Sequence, residues 1–481
     1  MTQLAKKVLQ NSFYNTLRAL ISGFGGFAFS VVLARLLTPK LFGTYALATS
    51  ICFFILQLDP GTGDTATRYI SYALGKNDIS LARSYFKFIF KIRIFLGIFF
   101  SLLLAGSSFF LAHVIFNKAI LFIPLEILSI FLFFYYISSF IDFCCIAFHN
   151  FKYPTIRSLI YECSRFIFVL IFILNGFYNG IYIGLSLASI LTFIIIFYIF
   201  SSEYSYMFGK KIKNIDKKRL LRFMLFLSIG SLSWVVFSYI DMMMIGIFLP
   251  VEYAGYYKVA TNIVYSVCGL TGLTSVLFPV FTQLEGESLE HAFRRVFRYA
   301  CTVAFPFSFS IAFFSEKIVE VIYGSNYSPS AVALAVLTPV IITNSINFFG
   351  TILTAKEKPE FTTAISILSM VTNVILNYIL IPIYGIVGAS FATSFSRILN
   401  LVAMSMMLKR VVGISPDISS VLRPTFSSIL MIILFYILPR PKSIYSGILE
   451  IILGYIIYLL TMFVLKGLTR EDIYYFKVLL R

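Results

Sequence analysis

The chain has 481 residues, 59% hydrophobic and 12% charged, with a formal net charge of +18 and a mean hydropathy of +0.90. A soluble domain carries about 25% charged residues, so the composition excludes an ordinary water-soluble enzyme or binding module. The basic excess is spread over many short segments, which fits the retention of Lys and Arg in inner loops and excludes a nucleic-acid face.

One membrane-crossing helix takes about 20 mainly apolar residues, and the apolar runs predict fourteen of them. The first, 13–37, is too long for the apolar part of a cleavable leader and runs straight into further spans. It holds Arg18 near its inner edge and Arg35 near its outer end, and no Asp or Glu. The second, 41–66, is interrupted by Leu58-Asp59-Pro60-Gly61-Thr62-Gly63-Asp64. Residues 68–87 mix Arg68, Lys76, Arg83 and Lys87 with apolar residues and predict an amphipathic segment on the inner face. Spans at 88–116, 119–147 (with Asp142), 154–175 (with Glu162 and Arg165) and 179–201 complete a first set of six. A basic segment, 202–219, contains Lys210, Lys211, Lys213, Lys217, Lys218 and Arg219. The second six are 221–249 (with Asp241), 254–282 (with Lys258), 299–323, 331–354, 361–382 (with Asn373 and Asn377) and 385–408 (with Arg397). Two further spans, 421–438 and 444–465, close the chain.

The expected fold is therefore all-α and integral to the membrane. It comprises an N-terminal six-helix bundle (1–209), a cytoplasmic basic linker (210–220), a C-terminal six-helix bundle (221–410) and two extra helices with a tail (411–481). Most of the 39 Lys and Arg fall on one side when both termini are placed in the cytoplasm, and the inverted topology would expose the densest basic cluster outside. The six cysteines, Cys52, Cys144, Cys145, Cys163, Cys268 and Cys301, lie in apolar runs and are expected to be buried hydrophobes. Three scattered histidines and no metal-ligand spacing imply neither a metal nor a cofactor.

The chain repeats itself. Residues 43–51 read GTYALATSI and 255–263 read GYYKVATNI, with a proline (Pro39, Pro250) a few residues before each. Pro154 and Pro359 are 205 residues apart, as are Gly180 and Gly385. Each repeat holds an even number of spans, so the halves enter the membrane in the same sense, as parallel repeats do. Two such bundles are expected to enclose a central cavity and to rock about it. The interruption in the second span has a counterpart in the eighth, Gly269-Leu270-Thr271-Gly272 followed by Pro279.

Four segments resemble one family. These are Ala34-Arg35-Leu36-Leu37-Thr38-Pro39 leading to Gly43-Thr44-Tyr45; Asp59-Pro60-Gly61 with Arg68; Asp241 followed by Ile245-Gly246 and Gly255-Tyr256-Tyr257; and the run from Asn373 through Asn377, Ile381-Pro382 and Tyr384-Gly385 to Gly388-Ala389. They are similar to the polysaccharide transporters of the multidrug/oligosaccharidyl-lipid/polysaccharide exporter superfamily, the O-antigen and capsule-repeat flippases. The resemblance implies two six-helix bundles, commonly with two extra helices, and no enzymatic activity. It also implies a substrate, an oligosaccharide on an isoprenoid phosphate or pyrophosphate, flipped from the inner to the outer leaflet of the cytoplasmic membrane. Membrane lipid and polysaccharide assembly proteins are the other expected partners. A cation-coupled multidrug exporter of the same superfamily is the nearest alternative; it commonly uses an acidic residue in the first span, which is lacking here. A membrane-embedded polysaccharide-processing enzyme is the other, and the short outer loops count against it.

A flippase must shelter an anionic headgroup, which calls for cations inside the membrane, where each is costly. Arg397, about 18 Å into its span, Arg165 and Arg18 are candidate headgroup residues. Glu162, three residues before Arg165, could neutralise it. Asn373 and Asn377, four apart on one face, suit sugar hydroxyls or interhelical bonds. Arg35, Asp59, Asp64, Asp142, Asp241 and Lys258 are candidate gating or coupling residues, with capping, anchoring and packing as their structural alternatives.

Overall fold

The structure, a computed structural model, describes residues 3–271, 281, 284, 286–356, 358–438, 444–468 and 472. Among these every regular element is a helix. The chain forms two compact units, Met1–Lys258 and Val259–Arg481.

In the first unit, α1 (Gln3–Leu36) ends at Thr38-Pro39, where the Thr38 hydroxyl accepts from the Leu41 amide as α2 (Pro39–Leu56) begins. The expected interruption of the second span is present. The chain leaves helical geometry after Leu56 and re-enters at α3 (Thr62–Gly75) through Gly61, whose φ of +71° favours a residue without a Cβ. Gly61 also packs against the Leu227 side chain, so a Cβ there would crowd it.

The amphipathic segment expected at 68–87 is not one element. It is split by a turn at Asn77 (φ +55°) between the end of α3 and the start of α4 (Ile79–Phe110), which Asp78 caps by accepting from the Leu81 amide. Helix α4 thus begins nine residues before the expected 88 and finishes in a π-helical turn, Leu111–Ile115. Helices α5 (Phe122–Ala147), α6 (Lys152–Leu174), α7 (Gly180–Glu203) and α8 (Lys217–Phe248) follow. Helix α5 is central, packed on α2, α3, α4 and α7. Its Phe140, Ile141 and Cys144 meet Ile70, Phe86, Ile89 and Phe200 in one buried cluster. Helix α9 (Val251–Thr271) starts in this unit. Gly272 and Pro279, named in the expected interruption of the eighth span, lie outside the described residues, as does Glu357.

In the second unit, α10 (Gly286–Phe313) and α11 (Ser315–Tyr323) divide the expected ninth span at Phe314. The tenth is three short helices, α12 (Ser330–Leu337), α13 (Pro339–Ile346) and α14 (Phe349–Ala355). Helix α15 (Pro359–Tyr384) turns through Gly385 (φ +60°) into α16 (Ile386–Val412). The last pair, α17 (Ser419–Ile437) and α18 (Ile444–Val464), pack together through Met431, Phe435, Tyr458 and Met462. The Tyr458 hydroxyl donates to the Thr302 carbonyl of α10 at 2.8 Å.

Eleven helices among the described residues are long and apolar enough to cross a membrane. Of the other three expected spans, α6 and α9 fall below that measure among the described residues, and α8 is 32 residues long with an apolar stretch at Val235–Phe248. All three carry interior charge: Arg157, Glu162 and Arg165 on α6, Asp241 on α8 and Lys258 on α9. Five of the cysteines are buried as expected, whereas Cys163 is exposed.

Candidate functional site

Helix α6 places Arg157, Tyr161 and Arg165 four residues apart, and that spacing aligns them on one face. Two guanidinium groups are thereby carried into a helix that is otherwise mostly apolar, and each has found a carboxylate. Arg157 Nε donates to Asp142 Oδ2 of α5 at 2.7 Å, and its guanidinium lies 5.5 Å from the Tyr135 ring. Arg165 pairs with Glu162, its own neighbour one turn back. The Arg165 guanidinium stands 4.4 Å from the Phe29 ring of α1 and 5.5 Å from Tyr161, in cation–π range of both. Glu162 fits because α1 carries Gly25 opposite it; a Cβ there would stand 2.6 Å from Glu162 Oε2. Arg18 of α1 is half-buried, donates to Asn15 Oδ1 at 3.3 Å, and is within electrostatic range of Asp142.

The structure thus brings together three predicted residues, Arg18, Asp142 and Arg165, and adds Arg157. Three guanidinium groups face two carboxylates, Asp142 and Glu162. Among the described residues Arg165 Nε and Asp142 Oδ1 are buried without a hydrogen-bond partner. Arg165 therefore keeps a donor that the protein does not use.

A second buried charge group sits where α2 breaks from α3. Arg93 of α4, 3% exposed, forms a 3.0 Å ion pair with Asp59 Oδ2. Its remaining donors reach Thr62 Oγ1 at 2.6 Å, the Tyr136 carbonyl at 2.9 and 3.1 Å, and Ser139 Oγ at 2.9 Å. The Tyr136 hydroxyl and the Thr62 amide and hydroxyl donate to Asp59 at 2.5, 3.1 and 2.8 Å. Every donor is used, which marks a clamp and not a binding surface. Adjacent residues of α5 serve the two groups, Tyr135 beside Arg157 and Tyr136 beside Arg93.

The remaining candidates are dispersed. Asp64 is exposed in the first turn of α3, and Arg35 is exposed in the last turn of α1. Asp241 is buried and accepts from the Tyr257 hydroxyl at 2.7 Å. Lys258 is half-buried on α9. In the second unit Arg397 is half-buried on α16, within electrostatic range of Cys268. Asn373 and Asn377 are fully buried. Asn377 donates to Asn373 at 3.1 Å and Asn373 to Thr393 of α16 at 3.4 Å, so the pair joins α15 to α16. Among the described residues no group of three His, Cys, Asp or Glu could hold a metal ion.

Residues 8–285 match the family described as polysaccharide biosynthesis protein, and residues 217–439 match the family described as lipid II flippase MurJ. A probable low-salt glycan biosynthesis flippase, Agl15, of Haloferax volcanii is 28% identical over 228 residues, 46% of this chain and 48% of that protein. A probable flippase of the same organism, AglR, is 26% identical over 201 residues, 40% of this chain and 42% of that one. The match therefore spans about half the length of these curated relatives. Among solved structures, the inward closed conformation of the lipid II flippase MurJ superposes with a TM-score of 0.73 at 17% identity, covering 98% of this chain and 100% of that one. An inward-facing multidrug resistance MATE family transporter superposes at 0.66 with 12% identity, covering 84% and 98%. At these identities the likeness is one of fold.

Proposed function

This chain belongs to the polysaccharide biosynthesis protein family, and we propose that it is a flippase for an oligosaccharide linked to an isoprenoid phosphate or pyrophosphate. It carries that lipid from the inner to the outer leaflet of the cytoplasmic membrane by alternating access of two six-helix bundles, with both termini cytoplasmic. The observation that carries the reading is the Arg18, Arg157 and Arg165 group, which outnumbers its carboxylates and leaves Arg165 Nε without a protein acceptor among the described residues. Buried cations in a membrane protein need a purpose. The planar fork of arginine matches phosphate oxygens, and the half-buried Tyr135 beside Arg157 offers an aromatic face to a sugar. The name of the Haloferax relative, a glycan biosynthesis flippase, points the same way.

The multidrug transporters share the fold, but α1 contains no Asp or Glu, which counts against a cation-coupled exporter using an acid there. The test is reconstitution in proteoliposomes with a lipid-linked oligosaccharide, scored by its access to a membrane-impermeant lectin. Wild type is expected to expose inner-leaflet substrate to the lectin. No exposure above protein-free vesicles, together with proton- or sodium-driven drug uptake, would replace this reading with the exporter.

A further inference from the structure

We infer that the first unit carries a second anion site, for a phosphate joined to a hydroxyl-rich group, at the end of the unit where α1 begins and α7 finishes. A cavity of about 430 Å³ lies there, lined by Lys7 and Tyr14 of α1, His149 and Lys152 at the turn between α5 and α6, and Tyr204 and Tyr206 after α7. Three segments distant in sequence are tied to one another to form it. Asn11 Nδ2 donates to the His149 carbonyl at 3.0 Å, Asn150 Nδ2 to the Tyr204 hydroxyl at 3.0 Å, and the Thr155 hydroxyl to the Tyr14 carbonyl at 2.9 Å. Phe148 stacks on Tyr204 at 4.2 Å. His149 is held at φ +55°, in the left-handed region that non-glycine residues rarely adopt.

The charged side chains lining this pocket, Lys7 and Lys152, are of one sign, and no carboxylate lines it; Glu203 lies within electrostatic range of Tyr204 and Tyr206. Neither lysine has an ion-pair partner among the described residues. A lysine ammonium binds phosphate as a point charge; the tyrosine hydroxyls and the amide of Gln10, also in the lining, suit a polyol. The volume falls in the usual range of small-molecule pockets, about 300–1,000 Å³. Arg165, which keeps the unused donor, lies 13 residues, or about 20 Å, further along α6 than Lys152, while Arg157 and Arg18 come within about two turns of Lys152 and Tyr14; none of the three lines the cavity. Two sources share the required chemistry, an anionic lipid headgroup at the membrane surface and a soluble sugar phosphate.

The experiment uses the full chain in nanodiscs. In one arm glucose 1-phosphate is titrated against protein in phosphatidylcholine, followed by melting temperature. In the other, native mass spectrometry counts phosphatidylglycerol retained from mixed discs. Both lysines are exposed, so K7Q/K152Q is expected to fold normally and to bind about 30-fold more weakly in whichever arm wild type responds. K210Q/K211Q, which removes the same charge outside the pocket, is expected to bind as wild type. A response to glucose 1-phosphate identifies a soluble ligand, and retention of phosphatidylglycerol identifies a headgroup. Silence of wild type in both arms, or an equal loss in K210Q/K211Q, overturns the site. None of these variants touches the α6 arginines, so failure here leaves the transport reading standing.

Discussion

Arg93 is tolerated at 3% exposure because each of its donors has an acceptor within 3.1 Å. Removing one partner of such a pair leaves a buried charge uncompensated, at about 3–5 kcal/mol. Arg93→Ala should therefore lower stability by that order, seen as a drop in melting temperature in detergent. Arg165 is different, since it has a donor to spare. Arg165→Lys keeps a charge for Glu162 but loses the fork, so it should reduce oligosaccharide translocation about tenfold or more with little change in melting. An unchanged rate would remove Arg165 from headgroup binding. The Glu162–Arg165 pair was legible in sequence because a three-residue spacing on a helix is itself a contact. Arg93 and Arg157 were not, because each lies close to the end of an apolar run and reads as an interfacial residue. Their partners, Asp59 and Asp142, are 34 and 15 residues away, and only the packing of α4, α5 and α6 brings them near.

Elements meet where the repeat is most exact. A Cβ on Gly43 would collide with the Val251 carbonyl, and one on Gly255 would stand 3.0 Å from the Pro39 carbonyl. Gly43 and Gly255 are equivalent in the repeat, as are residues 39 and 251, so the contact between α2 and α9 is reciprocal. Backbone carbonyls cannot yield as a side chain can, and Gly43→Ala should cost about 1–3 kcal/mol or more, measured by thermal melting; a neutral result would mean the two helices do not pack this closely. The segment after α7 is likewise held by backbone contacts. Arg83 donates to the Tyr206 and Lys211 carbonyls at 2.7 and 2.6 Å, and Lys87 to that of Gly209 at 2.7 Å. Lys213 pairs with Asp78 at 2.5 Å. That lysine, with Ser80 and the Leu81 amide, holds the Asp78 carboxyl down to about 2. A carboxylate with a lowered folded pKa stabilises above its unfolded value, near 3.9, and loses the contribution as pH falls towards 2. Tryptic cleavage at Lys210 and Lys211 should thus remain slow and flat across about pH 6 to 8 once corrected for trypsin activity, and Asp78→Asn should accelerate it; equal cleavage of the two would show that the pair does not hold the linker.

For the whole molecule, Arg397 tests whether the second half takes part in transport. Arg397→Ala should abolish translocation of the lipid-linked oligosaccharide while leaving membrane insertion intact, checked by the lectin assay beside membrane fractionation. Composition and apolar run length were enough to establish a multi-pass helical protein, because a bilayer demands long apolar helices whatever they pack against. The family was readable from short motifs such as Asn373 to Ala389, and the repeat from its glycines and prolines, since those residues answer to local backbone geometry. Only the tertiary structure decided which charges are clamped and which retain donors, and of the two uses open to Asn373 and Asn377 it displays the interhelical one, at the seam between α15 and α16. The reason is range. Hydropathy and helix periodicity act over a few turns of chain, whereas the fate of a buried charge depends on partners that only folding brings within 3 Å.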